Sequence, residues 1–518
     1  MTQPTGSRCA GSPHRAVPGT NKPRSRRRIT YVMTFTRPGL PGTRTGGSPV
    51  RRTLTLTLLA AAALLAATPA ASPAFAAPSA RAGKPAPPPA PPPPPPPPST
   101  SSFIKAFVDT RASNNAAFGG DVAQAADGTY YVVGSVGIPG AAWVAHVSAT
   151  GTLIWQEQFT NTSFASVQAT ADGGVVVAGG SVVKLSSAGV VQWEKTYPGL
   201  FEAAASQIQQ TTDGGYIVVG NTRPQSNSDP FAWIARLTST GDLMWQRVLG
   251  TPPFANAASV AQLPSGGFAI TGSSGAIDSS SVLVAEFSAT GDLQWQKTYG
   301  IGHDDLGESI QVASDGSLVI GGELVTINQA NAAQPGLALL LKLTPNGDIV
   351  FQDQFKGDSF FDINDFPEQH SSEATSVQVA PNGDYILAGR DGVTGGLGGP
   401  EASWLAETDA SGKLLFQHVF AVGSEFSLFS GMRLTSDGGF IAIGTTGVFA
   451  NSDNAWLVKT DASGNVAGCN DQGNGSTTEQ SGPLTEATSS FPVVTPSSSA
   501  TDASDTPATT SLVTMAVC

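Results

Sequence analysis

Acidic and aromatic side chains gather in three long polar segments of this sequence, at 323–336, 357–373 and 390–403. Such a combination suits the recognition of a sugar, a cation or a basic patch on another protein, because carboxylates pair with ammonium and hydroxyl groups. Segment 357–373 adds three aromatic residues, Phe360, Phe361 and Phe366, and a shorter acidic segment begins at His303. The candidate binding residues are Asp304, Asp305, Glu308, Asp358, Asp362, Asp365, Glu368, His370, Arg390, Asp391 and Glu401.

Two other interpretations of these acids stay open. Paired carboxylates can hydrolyse a glycosidic bond if they converge on it. The same side chains can instead be solvated loop charges with no ligand at all. A calcium loop is not predicted, because the run that starts at Asp362 has Phe366 at the next ligand position and no following glycine.

Motifs with a defined catalytic mechanism are absent from the sequence. It contains no H-E-x-x-H, no G-x-S-x-G, no G-x-x-x-x-G-K and no paired C-x-x-C. Outside the first 76 residues the four histidines are widely separated, and His146 and His418 fall on predicted strands. We therefore predict structural roles for His146 and His418, and we predict no metal and no cofactor.

The segments with candidate residues connect the parts of a repeated unit. Glycines before the last strand of each unit mark seven copies, with spacings of 38 to 65 residues, and they are Gly151, Gly189, Gly241, Gly291, Gly347, Gly412 and Gly464. Periods of about 40–50 residues with several short strands indicate propeller blades. The sequence therefore predicts an all-β, seven-bladed β-propeller of four-stranded antiparallel blades.

Each unit contains strands separated by tight turns, and the fifth unit shows this best. We predict its strands at 309–312, 318–321, 339–343 and 349–355, with a hairpin at Asp315-Gly316, where Asp-Gly supplies positive-φ positions. The second strands are apolar throughout, as expected for a blade that lies between two neighbours. Aspartates in the first hairpins are interpreted as turn formers, and they are Asp127, Asp172, Asp213, Asp315 and Asp437.

The two ends of the repeat region predict how the ring closes. The seventh unit lacks its last strand, whereas Phe103–Phe107 matches that strand and precedes the first unit. An N-terminal strand that completes the seventh blade would remove the exposed sheet edges of an open array. In such blades the short hairpins share one face, and the long connections share the other, where binding residues are usually found.

The repeated signatures resemble a known group of proteins. Thr212-Asp213-Gly214-Gly215-Tyr216 and the following Ile-Val-Val-Gly, with Gly291 to Gly300, are similar to the repeats of secreted bacterial and archaeal β-propeller proteins. The G-x-x-x-W step also resembles the tryptophan-docking motif of quinoprotein-like propellers, except that Phe351 and Phe416 replace tryptophan in two units. The resemblance implies the fold, and a quinoprotein-type dehydrogenase is a remote alternative function.

Sequence outside the repeats predicts export. Arg51-Arg52, the apolar run 54–67 and Ala74-Phe75-Ala76 form the three parts of a signal peptide within a leader at 1–76. Removing that leader leaves 16 basic residues against 39 acidic ones, a formal charge of −23. Nucleic acid is therefore excluded as a partner, since phosphate binding needs clustered lysine and arginine. We expect a secreted protein, or one held in the periplasm or at the cell surface, without a transmembrane segment in the mature chain.

Flanking segments complete the predicted organisation. Residues 77–102 form a proline-rich linker, 103–469 form the propeller, and 470–518 form a Ser/Thr/Ala/Pro-rich tail that is expected to be disordered because it buries little apolar surface. The cysteines that remain after the leader, Cys469 and Cys518, are expected to form a disulfide in an oxidising compartment.

The sequence therefore predicts a monomeric binding or scaffold module with a carbohydrate or protein ligand. A secreted polysaccharide-active enzyme is the alternative.

Overall fold

The structure is a computed structural model, and its description is confined to the repeat region and six short C-terminal segments. The described residues are 102–109, 117–136, 141–160, 162–197, 202–223, 229–249, 254–276, 279–300, 304–325, 336–356, 370–393, 401–420, 426–447 and 454–467, with short strands between 472 and 516. Among these residues no helix is long and apolar enough to span a membrane.

The repeat region forms a seven-bladed β-propeller of four-stranded antiparallel sheets. The N-terminal strand is β1 (Phe103–Asp109). Blades 1 to 3 consist of β2 (Ala117–Gln124), β3 (Tyr130–Val136), β4 (Ala141–Val147), β5 (Leu153–Thr160), β6 (Phe164–Ala169), β7 (Val175–Gly179), β8 (Val182–Leu185), β9 (Val191–Thr196), β10 (Glu202–Gln210), β11 (Tyr216–Arg223), β12 (Phe231–Leu237) and β13 (Leu243–Leu249). Blades 4 and 5 consist of β14 (Ser259–Gln262), β15 (Phe268–Ala276), β16 (Ser279–Phe287), β17 (Leu293–Gly300), β18 (Leu306–Val312), β19 (Leu318–Leu324), β20 (Leu337–Leu343) and β21 (Ile349–Lys356). Blades 6 and 7 consist of β22 (His370–Val379), β23 (Tyr385–Val393), β24 (Glu401–Thr408), β25 (Leu414–Phe420), β26 (Ser427–Leu434), β27 (Phe440–Thr446) and β28 (Asn454–Lys459).

Strands predicted for the fifth unit are confirmed in position and order. Each observed strand covers the predicted one and extends it by at most three residues, and β19 is buried along its whole length, as predicted for a strand between two neighbouring blades. The predicted hairpin at Asp315-Gly316 joins the first two strands, and Gly316 has a φ of 82°.

The N-terminal strand closes the ring as predicted. Strand β1 pairs antiparallel with β28, with Phe103 opposite Lys459 and Phe107 opposite Ala455. It therefore serves as the outer strand of blade 7, and the last blade is built from both ends of the repeat region. Hydrophobic side chains of blades 7 and 1 then pack into one shared core, which includes Phe107 and Trp143.

An aromatic ring on each outer strand packs against a glycine of the next blade. At the contact between blades 2 and 3, a Cβ placed on Gly241 would lie 2.8 Å from the ring of Trp193. The same contact joins Phe103 to Gly151, Trp155 to Gly189, Trp245 to Gly291, Trp295 to Gly347, Phe351 to Gly412 and Phe416 to Gly464. The contact therefore repeats at all seven junctions, and the phenylalanines that replace tryptophan occupy the same place. The resemblance to tryptophan docking is explained by packing between blades.

The aspartates of the first hairpins form turns, as predicted, and also make a contact that the sequence did not indicate. Asp213 Oδ1 accepts a hydrogen bond from the Gly215 N–H at 3.2 Å, and the carboxylate pairs with the buried guanidinium of Arg236. Hydrogen bonding from the Thr211 hydroxyl is the main cause that lowers the pKa of Asp213 to about 2. Equivalent pairs join Lys184 to Asp172, Lys342 to Asp315 and Lys459 to Asp437. The hairpin face therefore uses its acids to hold strands together.

The C-terminal segment differs from the expected disordered tail, because six short stretches of it form strands. They are β29 (Gln472–Gly473), β30 (Thr478–Gln480), β31 (Thr485–Thr488), β32 (Val493–Val494), β33 (Thr501–Asp502) and β34 (Leu512–Ala516). Each becomes the fifth strand of one blade, in the order 6, 5, 4, 3, 2 and 7. The composition argument considered only side-chain burial, whereas pairing at a sheet edge uses backbone groups.

A pair of glycine substitutions within blade 3 tests the aromatic contact. Gly241 and Gly214 have φ angles of 79° and 85°, but a Cβ on Gly214 would have nothing within 4 Å. Both Gly→Ala changes cost about 1–2 kcal/mol for the left-handed backbone. Gly241→Ala should cost a further 1–3 kcal/mol, roughly, because its methyl group collides with Trp193. Chemical denaturation of both variants measures the difference, and equal loss of stability would contradict the contact.

Both predicted partners of the disulfide lie outside the described residues, so the bridge stays a prediction. A described residue two positions from each cysteine lies at or beside β1. The Ala467 N–H donates to Ser102 Oγ at 2.8 Å, and Ala516 lies opposite Lys105 of β1. In protein recovered from an oxidising compartment, mass spectrometry of non-reduced peptides should show Cys469 joined to Cys518. In the chain-entropy account, closing this loop stabilises the chain by roughly 4 kcal/mol. Recovery of both cysteines as free thiols would refute the bridge.

Candidate functional site

A cavity of about 550 Å³ lies where the innermost strands of the blades converge. In six of the described inner strands the register slips by one residue, so that a bulge interrupts the pairing with the second strand. The inserted residues are Gly120, Ala165, Ser206, Glu308, Thr375 and Ser430, and all six line the cavity. A bulge re-aims side chains, which explains why these residues face the centre of the ring. Glu308 is the one charged residue among these six.

At four junctions a polar side chain of one inner strand accepts a hydrogen bond from a backbone N–H of the next blade. At the first junction Asp121 Oδ2 accepts a hydrogen bond from the Val167 N–H at 3.0 Å. The same role is played by Ser166 with the Ile208 N–H at 3.3 Å, by Gln207 with the Val260 N–H at 2.6 Å, and by Ser259 with the Ile310 N–H at 3.1 Å. The last junction uses an ion pair, in which Arg433 Nη2 lies 3.0 Å from Asp121 Oδ1. These bonds fix the wall of the cavity.

Three carboxylates and one guanidinium meet at the wall of blades 5 and 6. Glu373 and Arg390 are cross-strand partners, and Arg390 Nε lies 2.5 Å from Glu373 Oε2. Glu323 Oε1 accepts a hydrogen bond from the Ser371 hydroxyl at 2.7 Å. Glu308, Glu373 and Arg390 line the cavity. We call Glu308, Glu323, Glu373 and Arg390 the channel cluster.

Burial and mutual repulsion perturb the acids of the channel cluster. Burial, with the charges of Glu373 and Glu323, raises the pKa of Glu308 to about 7, although Arg390 opposes the shift. Burial and the charge of Glu373 likewise raise the pKa of Glu323 to about 6, against the hydrogen bond from Ser371. Strongly perturbed carboxyls inside a cavity are typical of functional sites.

The candidate residues of the sequence analysis divide into three sets. Glu308 and Arg390 reach the cavity between blades 5 and 6, at the end of the ring that carries the long connections. Asp305 and Asp391 are fully buried, with Asp305 Oδ1 accepting from the Val325 N–H at 3.2 Å and Asp391 Oδ1 from the Ser372 hydroxyl at 2.7 Å. These two acids contribute to the fold and do not reach the cavity lining.

The remaining candidates add little to the described site. Asp304 has a φ of 46° and lies at the entry to blade 5, where its Oδ1 is 3.5 Å from the Ser280 hydroxyl. The other candidates lie outside what the structure describes. They are the acids Asp358, Asp362, Asp365 and Glu368, the aromatic Phe360, Phe361 and Phe366, and the side chains of His370 and Glu401.

Sequence reasoning missed Glu323 and Glu373, although both bound segments that it considered. Glu323 falls on a strand whose other residues are apolar or glycine, so a charged residue there was an available signal, whereas the strand of Glu373 contains several other polar residues. The predicted structural roles of His146 and His418 are consistent with their contacts. His146 Nε2 lies 2.6 Å from the Thr129 hydroxyl, and His418 Nε2 lies 2.8 Å from the Ser463 carbonyl oxygen. Within the described part of the chain, no three His, Cys, Asp or Glu side chains are grouped to hold a metal ion.

Comparison with known proteins identifies no family for this chain. No protein-family description and no curated protein matches it. Among solved structures, Sqt1 from Chaetomium thermophilum is 14% identical with a TM-score of 0.42, and the match covers 74% of this chain and 90% of that one. The polysaccharide lyase Uly1 is 10% identical with a TM-score of 0.43, covering 70% and 99% of the two chains.

A third similar structure is PorZ, a bacterial surface component of the type-IX secretion system of Porphyromonas gingivalis. It is 12% identical with a TM-score of 0.39, and the match covers 67% of this chain and 47% of that one. At such identities and scores these likenesses carry no functional argument, and the fold assignment depends on the strand pairing of this chain.

The raised pKa of Glu308 predicts a pH-dependent stability that a neutral replacement removes. The unfolded chain releases this proton near the ordinary value of 4.5, whereas the folded chain keeps it up to about 7. Between those values the unfolded state binds fewer protons, so stability falls as pH rises. Glu308→Gln should therefore match the unmodified protein in melting temperature at pH 4.5 and exceed it at pH 8. A constant difference between the two proteins across this range would contradict the assignment.

Proposed function

We propose that this chain is an exported binding module whose ligand enters the central cavity at the wall of blades 5 and 6. The observation that carries the proposal is the placement of Glu308 and Arg390 together in the cavity lining. Buried charges in protein interiors are normally paired and hydrogen bonded, since their desolvation is unfavourable. A carboxyl with a strongly raised pKa at a cavity wall gains stabilisation when a ligand supplies a polar or cationic partner.

The connections between the strands indicate which face of the propeller is the entrance to the cavity. Two residues of the channel cluster lie in the N-terminal halves of β18 and β22, and the other two lie in the C-terminal halves of β19 and β23. These are the ends of the strands from which the long connections leave the blades. The opposite face consists of short hairpins whose acids are engaged with buried cations, as in the pair of Asp213 with Arg236. The long connections therefore offer variable surface beside the cavity, and the hairpins offer little.

A carbohydrate or a protein segment is the proposed ligand, and the export of the chain is proposed from its signal-peptide pattern. Mixed carboxylate, guanidinium and hydroxyl groups suit a polar ligand with several hydrogen-bonding groups. The high negative charge of the mature chain favours a neutral or cationic ligand over a polyanion. The proposed form in solution is a monomer.

Hydrolysis of a polysaccharide is the second candidate function, and Glu308 favours it. Its pKa of about 7 suits a general acid, and Glu373, whose carboxylate contacts the Arg390 guanidinium, supplies a second carboxyl group. Glycoside hydrolysis needs a pair of carboxyls in different protonation states. The two candidates therefore share one site and differ in whether a bound glycan is cleaved.

An array of glycans and peptides, screened with the full-length exported protein, tests the proposed function. Glu308→Gln and Arg390→Ala should each weaken the identified interaction at least tenfold. The control variant Asp292→Asn, at an exposed hairpin on the opposite face, should leave the affinity unchanged. Equal loss in all three variants, or loss only in the control, would place the ligand elsewhere.

New reducing ends in a bound polysaccharide, formed by the unmodified protein and not by Glu308→Gln, would favour the enzyme.

A further inference from the structure

The six C-terminal strands pair with the blades in one constant register. In blade 4 the docking aromatic is Trp295, and the third residue after it, Thr298, lies opposite Ala487. The third residue after the docking aromatic is paired in the other five blades too, as Val248 with Val494, Gln354 with Gln480, Val419 with Gly473, Thr196 with Thr501 and Ala106 with Met515. The C-terminal segment therefore follows the repeat of the propeller.

The outer strands supply a reason for this pairing. An outer strand of a blade has one edge bonded to the third strand, while the backbone N–H and C=O groups of its other edge point away from the ring. All six added strands are antiparallel and lie along the second half of the outer strand, after the docking aromatic. The same half of each blade therefore presents the same row of donors and acceptors.

The sequence of the C-terminal segment is compatible with strand pairing at these places. Its prolines, Pro483, Pro492, Pro496 and Pro507, all fall between the paired stretches and none falls within one. Proline cannot donate to a sheet ladder, so this distribution keeps the pairing stretches intact. Eight of the eighteen residues in these strands are Thr or Val, which favour strands, and three are charged.

Spacing along the segment also matches a path round the ring. The paired stretches begin at residues 472, 478, 485, 493 and 501, which are six to eight residues apart, and each step reaches the adjacent blade. The last stretch begins at 512, eleven residues further on, and pairs with blade 7. Blade 1, the blade between blades 2 and 7, has four strands among the described residues.

We propose that the outer rim of the propeller is a binding surface for an extended peptide strand, and that the chain's own strands β29 to β34 occupy it as a belt. Backbone pairing supplies the affinity, and the repeated position of the docking aromatic sets the register. The belt covers six sheet edges that would otherwise be open to strands of other molecules. Because the surface reads backbone groups in a fixed register, it also accepts the same peptide when it is supplied separately.

Hydrogen exchange of the full-length protein, followed by mass spectrometry, tests the belt. In a strand, one of any two successive N–H groups faces each neighbour, so two adjacent prolines remove at least one bond to the outer strand. The variant Val513→Pro with Thr514→Pro should raise exchange at least tenfold in β34 and at the outward amides of β1. Its matched control, Ser498→Pro with Ser499→Pro, changes two residues between β32 and β33 and should leave both strands protected.

Addition in trans completes the test. A synthetic peptide of residues 509–517, added to the double-proline variant, should restore protection of residues 105–109. The same peptide with methylated backbone nitrogens at 513 and 514 should not restore it. The proposal is overturned if residues 472–516 of the unmodified protein exchange at the rate of an unstructured peptide, or if the two double-proline variants behave alike. Failure of the peptide to protect β1 would overturn the claim of a separable binding surface.

Discussion

The packing of an aromatic ring on a glycine of the next blade is the contact on which this structure depends. It occurs at seven junctions, and at each the absence of a side chain lets the ring approach within about 3 Å of where a Cβ would lie. Because the contact repeats at every junction of the propeller, it places each blade in the same position relative to its neighbour. Two further features repeat from blade to blade in the same way. One is the bulged residue that lines the cavity, and the other is the pairing of a C-terminal strand with the third residue after the docking aromatic.

The two ends of the ring have different uses for their charged residues. On the hairpin face the acids are tied to buried cations, as Asp437 is to Lys459, and these pairs join turns to strands. In the cavity wall of blades 5 and 6, three acids surround the guanidinium of Arg390, and burial, with the repulsion among the acids, raises the pKa values of Glu308 and Glu323. The same residue types therefore stabilise the hairpin face and carry raised pKa values in the cavity wall.

The sequence was sufficient for the fold because the blade pattern is local. Periodic glycines, Asp-Gly hairpins and the unmatched strand at Phe103 each reflect short-range chemistry, and blade number and closure followed from them. The cavity lining was not predictable in this way, since a one-residue bulge reverses which side chains face the centre. Glu308 was found because it adjoins a long connection, whereas Glu373, which also bounds one, was missed because the sequence did not show that it lines the cavity. The strands of the C-terminal segment depend on edges that exist only once the ring has formed, so composition alone indicated disorder.

The central claim is that a ligand reaches the cavity from the long-connection face beside blades 5 and 6. Labelling of a thiol introduced into protein whose Cys469 and Cys518 are replaced by Ser measures this most directly, with Ser430→Cys in the cavity lining and Ala289→Cys on the hairpin face. A saturating amount of the ligand found by array should slow maleimide labelling at position 430 at least tenfold and leave position 289 unchanged. Unchanged labelling at 430, or protection at 289 alone, would contradict the account.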